Sequence, residues 1–225
     1  GLLSGEDALY AVCRSGEAFR SFAFVESVAS SGTAASRDYV LEGYLFPDTY
    51  EVYADSSVES ILTRMLNRFN EIYSEAYATR AQELGMSIDQ VVTLASLIER
   101  EAQAKDDFAK VSAVFHNRLK QEMPLQSCAS LSYVLKVNKY TFTESELATA
   151  SPYNTYQHGG LPVGPVGNPG KAAIEAALYP NEEYLGEDGY LFFCNGDTTQ
   201  SNELVFSKTY EEHQKNVEKY QKFWS

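Results

Sequence analysis

Two glutamates stand two residues apart in Ala95-Ser96-Leu97-Ile98-Glu99-Arg100-Glu101, at the end of the longest apolar run in the chain, residues 91–98. A carboxyl group pressed against apolar walls loses hydration, so its neutral form is favoured and its pKa rises. A proton held near neutral pH is what a general acid needs. The same residue types have a second reading, in which a buried glutamate pairs with Arg or Lys and locks helices together. Glu42 and Asp48 are the upstream carboxylates that could complete a two-carboxylate site, although an Asp after Pro is also a common turn residue.

The element that must position these groups is a helix. Ser87, with Gln90 three residues on, reads as a capping box that opens it. At about 100° per residue, Ile88, Val91, Val92, Leu94, Ala95 and Ile98 fill one arc, with Asp89, Gln90, Thr93, Ser96 and Arg100 opposite. Glu99 falls in the middle of the apolar arc and Glu101 at its edge. A cleft can therefore reach Glu101, while Glu99 is expected deeper, paired to a cation or a backbone donor.

Around that helix the pattern predicts an α+β chain, mainly helical, with a small interleaved β-sheet and the glutamate-bearing helix at the floor of a groove. Ser4 with Asp7 opens a short helix through Cys13, residues 17–29 hold another, and residues 30–36 read as a Ser/Gly/Ala/Thr linker. Residues 1–40 are thus expected as a peripheral helical segment and linker, and 41–225 as the catalytic domain. Residues 41–53 predict strand–turn–strand. Ser56 with Glu59 predicts a cap for an amphipathic helix ended by Gly85, and Asp107 one for a helix carrying Asn117 and Arg118 near its end. Thr143 with Glu146 opens a short helix. Residues 151–170, dense in Pro and Gly, predict an extended loop that walls the groove. Asn168 with Pro169 predicts the start of a helix to about Tyr179. Residues 190–194 and 204–206 read as paired strands, and Thr209 with Glu212 caps the last helix.

Composition bounds the chemistry. A chain of 225 residues, 44% apolar, can bury the core of one large domain or two small ones. A net charge of −13 argues against nucleic acid or an anionic membrane surface as a partner. Cys13, Cys128 and Cys194 lie far apart, and His116, His158 and His213 form no i, i+4 pair, so neither a disulfide framework nor a metal site is expected, and no cofactor. His213 reads as a surface or capping residue. No apolar run is long enough to span a bilayer. The chain opens Gly1-Leu2-Leu3-Ser4 without a leader, as expected for a piece of something longer.

The segment 95–101 resembles the A-S-[IL]-[IV]-E-[KR]-E signature of the endolytic murein transglycosylases, the YceG-like or MltG family. Further blocks agree in order: residues 41–50 (Leu-Glu-Gly-Tyr-Leu-Phe-Pro-Asp-Thr-Tyr), 114–119 (Val-Phe-His-Asn-Arg-Leu) and 123–127 (Met-Pro-Leu-Gln-Ser). The last comprises Tyr153-Asn154-Thr155-Tyr156, Gly160-Leu161-Pro162, Gly164-Pro165 and Asn168-Pro169-Gly170. The chain departs at Cys128-Ala129-Ser130, where the family pattern is Asp-Pro-Thr, and at Leu204, where many members carry His.

The resemblance implies a lytic transglycosylase acting on peptidoglycan glycan strands. In that reaction one glutamate first protonates the oxygen linking MurNAc to GlcNAc. Its carboxylate then takes the proton of the MurNAc 6-hydroxyl, which closes on C1 to give a 1,6-anhydro end. By alignment that glutamate is Glu101. Gln126, Ser127, Asn154 and Tyr156 are then candidates to hold sugar hydroxyls and acetamido groups, with Tyr153 and Tyr44 to stack on pyranose faces. Glu99, Glu42, Asn117 and Arg118 are supporting candidates. Each has a plainer role open to it, holding loop backbone or filling the core. The resemblance also implies an extracytoplasmic site at the outer face of the cytoplasmic membrane, an N-terminal anchor in the full-length protein, and cell-wall synthases (penicillin-binding proteins) as partners. A two-carboxylate hydrolase and a non-catalytic peptidoglycan-binding module are the competing readings.

Overall fold

The computed structural model describes residues 6–139 and 141–224. In chain order its helices are α1 (Glu6–Ser15), α2 (Ala23–Ala29), α3 (Val58–Ile72), α4 (Glu75–Glu83), α5 (Ile88–Glu101), α6 (Phe108–Lys120), α7 (Cys128–Leu135), α8 (Glu144–Leu147) and α9 (Lys171–Leu178). An antiparallel hairpin of β1 (Phe192–Asn195) and β2 (Leu204–Ser207) follows, then α10 (Tyr210–Tyr220). The fold is mainly helical α+β, as the residue pattern predicts.

Helix α5 is the hub, packed by α2, α4, α6, α7 and α9. Its capping box forms as expected: Ser87 Oγ accepts from Gln90 N at 3.1 Å while Ser87 N donates to Gln90 Oε1 at 2.9 Å. Residues 91–98 are buried all the way round, including Thr93 and Ser96 from the face expected to be polar. Ser96 is tolerated there because its hydroxyl donates to Thr93 O at 2.7 Å and accepts from Val166 N at 3.0 Å. Each apolar side chain so buried contributes roughly 1.5–3 kcal/mol.

Residues 6–36 share this core. Phe24, Val25 and Val28 of α2 are buried in the same cluster as Val91, Val92 and Leu94. Residues 17–29 divide into a 3-10 turn (Glu17–Phe19) and α2 rather than one helix. Ser4 lies outside the described residues.

Several local expectations give way to longer-range bonds. Residues 41–53 form turns and extended backbone, not strands. Gly43 adopts φ +93° there, and a Cβ would meet Pro165 Cγ at 2.5 Å, so the chain crosses too closely for a sheet partner. The cap of α3 is Ser57, since Ser56 Oγ instead accepts from Tyr53 N. The helix expected to run to Gly85 breaks at Tyr73, because Ser74 caps a new one, α4. Asp107 stands at the start of α6 but does not cap it; its carboxylate pairs with Lys110 and accepts from Leu204 N, fastening α6 to β2. Gly170, not Asn168, is the N-cap of α9. The Asn168 side chain accepts from Gly43 N and Leu45 N, holding the turn that contains Gly43.

Candidate active site

The signature segment pins three other parts of the chain through successive side chains. Ser96 and Arg100 hold Val166, the latter through Nη1 to its carbonyl at 3.2 Å. Glu99 Oε1 accepts from Gly170 N at 3.0 Å, at the N-terminus of α9. Glu101, the last residue of α5, reaches the N-terminus of α7, where Oε1 accepts from Ala129 N at 3.0 Å and from Ser127 Oγ. Ser127 sits at the N-cap of α7 but makes no side-chain cap. The Glu101 carboxyl takes that place and satisfies one of the helix's orphan N–H groups from another helix.

Two influences on Glu101 oppose each other. Burial raises its pKa above the ordinary carboxyl value, and this is the larger effect; the Ala129 and Ser127 donors and the charges of Arg100 and Arg118 pull it down. The outcome is a proton held above the usual range, with donors in place to receive the anion.

Glu101 opens onto a cleft of about 360 Å³. One wall carries Leu125, Gln126, Cys128 and Tyr156, and the other comes from the hairpin and α10, with Phe192, Tyr210 and His213 among its residues. Arg118 ties the walls together: Nε donates to Leu191 O at 2.6 Å, and Nη1 to Leu125 O at 2.9 Å and Pro124 O at 3.1 Å. Its guanidinium lies 5.1 Å from the Phe192 ring centroid. Gln126 is held at φ +50°, a left-handed backbone that costs a non-glycine residue roughly 1–2 kcal/mol and is retained here beside the carboxyl. Cys128 Sγ lies 3.3 Å from Tyr156 Oη, and burial with the Glu101 charge pushes its thiol up to about 11. Across the cleft, His213 stacks on Phe192 at 5.2 Å, and burial followed by the Arg118 charge lowers its pKa, keeping the imidazole neutral.

A model of the YceG-like family matches residues 6–219. The chain belongs to that family. It is 38% identical over 198 residues to an "Endolytic murein transglycosylase" of Bacillus subtilis (strain 168), covering 88% of this chain and 52% of the relative. It is 32% identical over 184 residues to a protein of the same name from Streptococcus pneumoniae serotype 2, covering 80% of this chain and 32% of that one. The chain thus spans about half the length of the first relative and about a third of the second. A yceG-like protein of Listeria monocytogenes, solved by crystallography, superposes with a TM-score of 0.79 at 34% identity, covering 95% of this chain and 67% of that one.

In this YceG-like domain the residues singled out from the sequence divide sharply. Glu101, Gln126 and Tyr156 line one cleft with Arg118, and Ser127 bonds the Glu101 carboxyl behind it. Asn154 does not join them. It is fully buried, its amide donating to Leu147 O at 3.1 Å and Thr149 O at 2.8 Å while its Oδ1 accepts from Tyr156 N at 3.0 Å. Tyr44 is sealed in the core, stacked on Phe24 and donating to Asp89. Tyr153 is buried against Tyr133 and accepts from Asp38 N. Neither ring can meet a sugar.

Asn117 is likewise consumed, donating to Tyr184 O and Tyr190 O and accepting from Gly186 N beneath the hairpin. Glu42 faces a separate apolar cavity of about 480 Å³ between α1 and α3, near Tyr133 Oη and Asn168 Nδ2, and burial raises its pKa. Asp48 pairs with Arg68 near the surface. Glu99 is no deeper than Glu101; both are partly exposed as residues. Sequence reasoning missed the wall made by Phe192, Tyr210, His213 and Trp224. The signal available was α10 itself, where Tyr210, His213 and Val217 recur on one face of a helix otherwise rich in charge. Among the described residues no group of three or more His, Cys, Asp or Glu could hold a metal ion, and no helix is long and apolar enough to cross a membrane.

Proposed function

We propose that residues 41–225 form the catalytic domain of a lytic transglycosylase that cuts peptidoglycan glycan strands outside the cytoplasmic membrane, braced by the helices before residue 41. One observation carries the reading: Glu101 is the single carboxylate among the described residues that line the cleft, and its environment favours the protonated form. Hydrolysis by two carboxylates needs a partner as nucleophile or base. Glu99, Glu42 and Asp48 are each engaged elsewhere.

With one carboxyl the chemistry runs in two proton transfers. Neutral Glu101 gives its proton to the bridging O4 of the departing GlcNAc as the MurNAc C1–O4 bond breaks. The carboxylate left behind is stabilised by Ser127 Oγ and by Ala129 N at the N-terminus of α7. It then removes the proton of the MurNAc 6-hydroxyl as O6 bonds to C1, which restores the acid and consumes no water. Gln126 and Tyr156 supply polar groups on the same wall to orient the sugar.

Digestion of purified sacculi followed by mass spectrometry tests the proposal. New MurNAc termini should carry anhydro ends. Termini heavier by one water would refute the transglycosylase step, and an absence of released fragments would leave only binding.

A further inference from the structure

We infer that α10 is the far wall of a groove that carries glycan past the cleavage point, with the Tyr210 ring as a stacking platform for one sugar; this rests on the glycan-cleaving reading above. A second depression of about 400 Å³ runs along α10, lined by Tyr210, His213, Gln214, Val217, Glu218 and Gln221. Tyr210, His213 and Val217 also line the cleft that holds Glu101, so the two spaces adjoin across these three side chains. The six positions follow i, i+3, i+4, i+7, i+8 and i+11, one face of one helix.

Tyr210 stands at the junction, and its residue is 60% exposed. It is not loose there. The Thr209–Glu212 capping box fixes the turn that bears it, and its ring lies 5.9 Å from Phe192. A large ring kept in water gains by covering its face with apolar surface. Pyranose rings offer such surface as faces of C–H groups, with hydroxyl and acetamido groups at the edge. Gln214, Gln221 and Glu218 on the same helix face supply donors and acceptors for that edge. Tyr44 and Tyr153, sealed inside, offer no ring face to a sugar, whereas Tyr210 does.

The chain's single tryptophan, Trp224, lines the cleft, so its fluorescence reports occupancy without a label. Uncrosslinked glycan chains of defined length are titrated into the Glu101→Gln protein, and kcat and KM are measured on the same chains with Glu101 intact. Tyr210→Ala should weaken binding of long chains roughly tenfold, about 1.4 kcal/mol. It should raise KM on those chains by more than it lowers kcat, since the ring holds a sugar and not the reacting atoms. Tyr210→Phe should keep wild-type behaviour, since stacking uses the ring face. Tyr53→Ala, which removes a 75% exposed ring away from the cleft, should change nothing. If Tyr210→Ala binds long chains as tightly as its parent while the parent cleaves them, the α10 platform is overturned and the enzyme reading survives. If no chain perturbs Trp224 and the unaltered protein releases no product, both fall together.

Discussion

Replacing Glu101 by Gln separates what the side chain does for chemistry from what it costs the fold. The amide keeps an oxygen that can accept from Ser127 Oγ and Ala129 N, but neither a transferable proton nor a charge remains. General acid–base catalysis is worth roughly 10²–10⁴-fold, and one group serves both transfers, so kcat should fall at least that far. Stability should move the other way. Below the ordinary carboxyl value of 4.5, folded and unfolded chains both carry the proton and wild type pays no ionisation penalty. As pH rises past 4.5 the unfolded chain ionises first, and stability declines until the raised folded-state pKa is passed. Each pH unit between the two values is worth about 1.4 kcal/mol, and each kcal/mol about 2–4 °C in melting temperature for a chain of this size. Glu101→Gln should therefore melt above wild type near neutral pH, with the gap closing below 4.5. Scanning calorimetry at the two pH values, beside sacculus digestion, reads both effects. A variant that melts below wild type at neutral pH would show that the bonds to α7 outweigh desolvation, refuting the electrostatic account. Retained cleavage would remove Glu101 from the reaction.

Ser127→Ala removes a donor to the carboxylate, so the Glu101 pKa should rise further. The alkaline limb of the pH–rate profile should move to higher pH while kcat falls; an unmoved limb would detach Ser127 from the acid. Asn154→Ala takes the donor from the part-buried Thr149 carbonyl, while Leu147 O keeps Gln157 Nε2, so at roughly 1–3 kcal/mol it should lower the melting temperature by a few degrees while leaving KM for glycan unchanged. A KM that rises without loss of stability would return Asn154 to the substrate. Tyr44→Phe deletes one donor to Asp89, whose pairing with Arg37 survives, so calorimetry should register about 0.5–1.5 kcal/mol and the digestion assay no change.

How much of this molecule can be read from its sequence depends on how far each side chain reaches. The capping boxes at Ser87, Thr143 and Thr209 are legible because both partners lie within three residues and the geometry is local. Asp107, Ser127 and Asn168 carry the same residue types at helix starts, yet each bonds a segment 26–126 residues away, and the local pattern holds no trace of that competitor. Tyrosines divide by context. Tyr210 lies on a helix whose period shows which way it faces, whereas Tyr44 lies in irregular chain where no period exists. Glu101 stands out in the sequence because a carboxylate at the edge of an apolar arc is a conflict that only a partner or a function resolves, and the family resemblance singles it out from Glu99. The hairpin part of that wall was missed because residues 192–207 reach the Glu101 cleft only through tertiary packing, with no conflict of their own to betray them. Whether a polar residue can serve a substrate then turns on whether its hydrogen bonds are already taken. Asn154 and Asn117, both buried, direct their amides to backbone groups that hold a loop and a hairpin in place, while Gln126, on a strained backbone, keeps its side chain in the cleft beside Glu101, where its Oε1 takes only a long 3.4 Å bond from Arg118 Nη1.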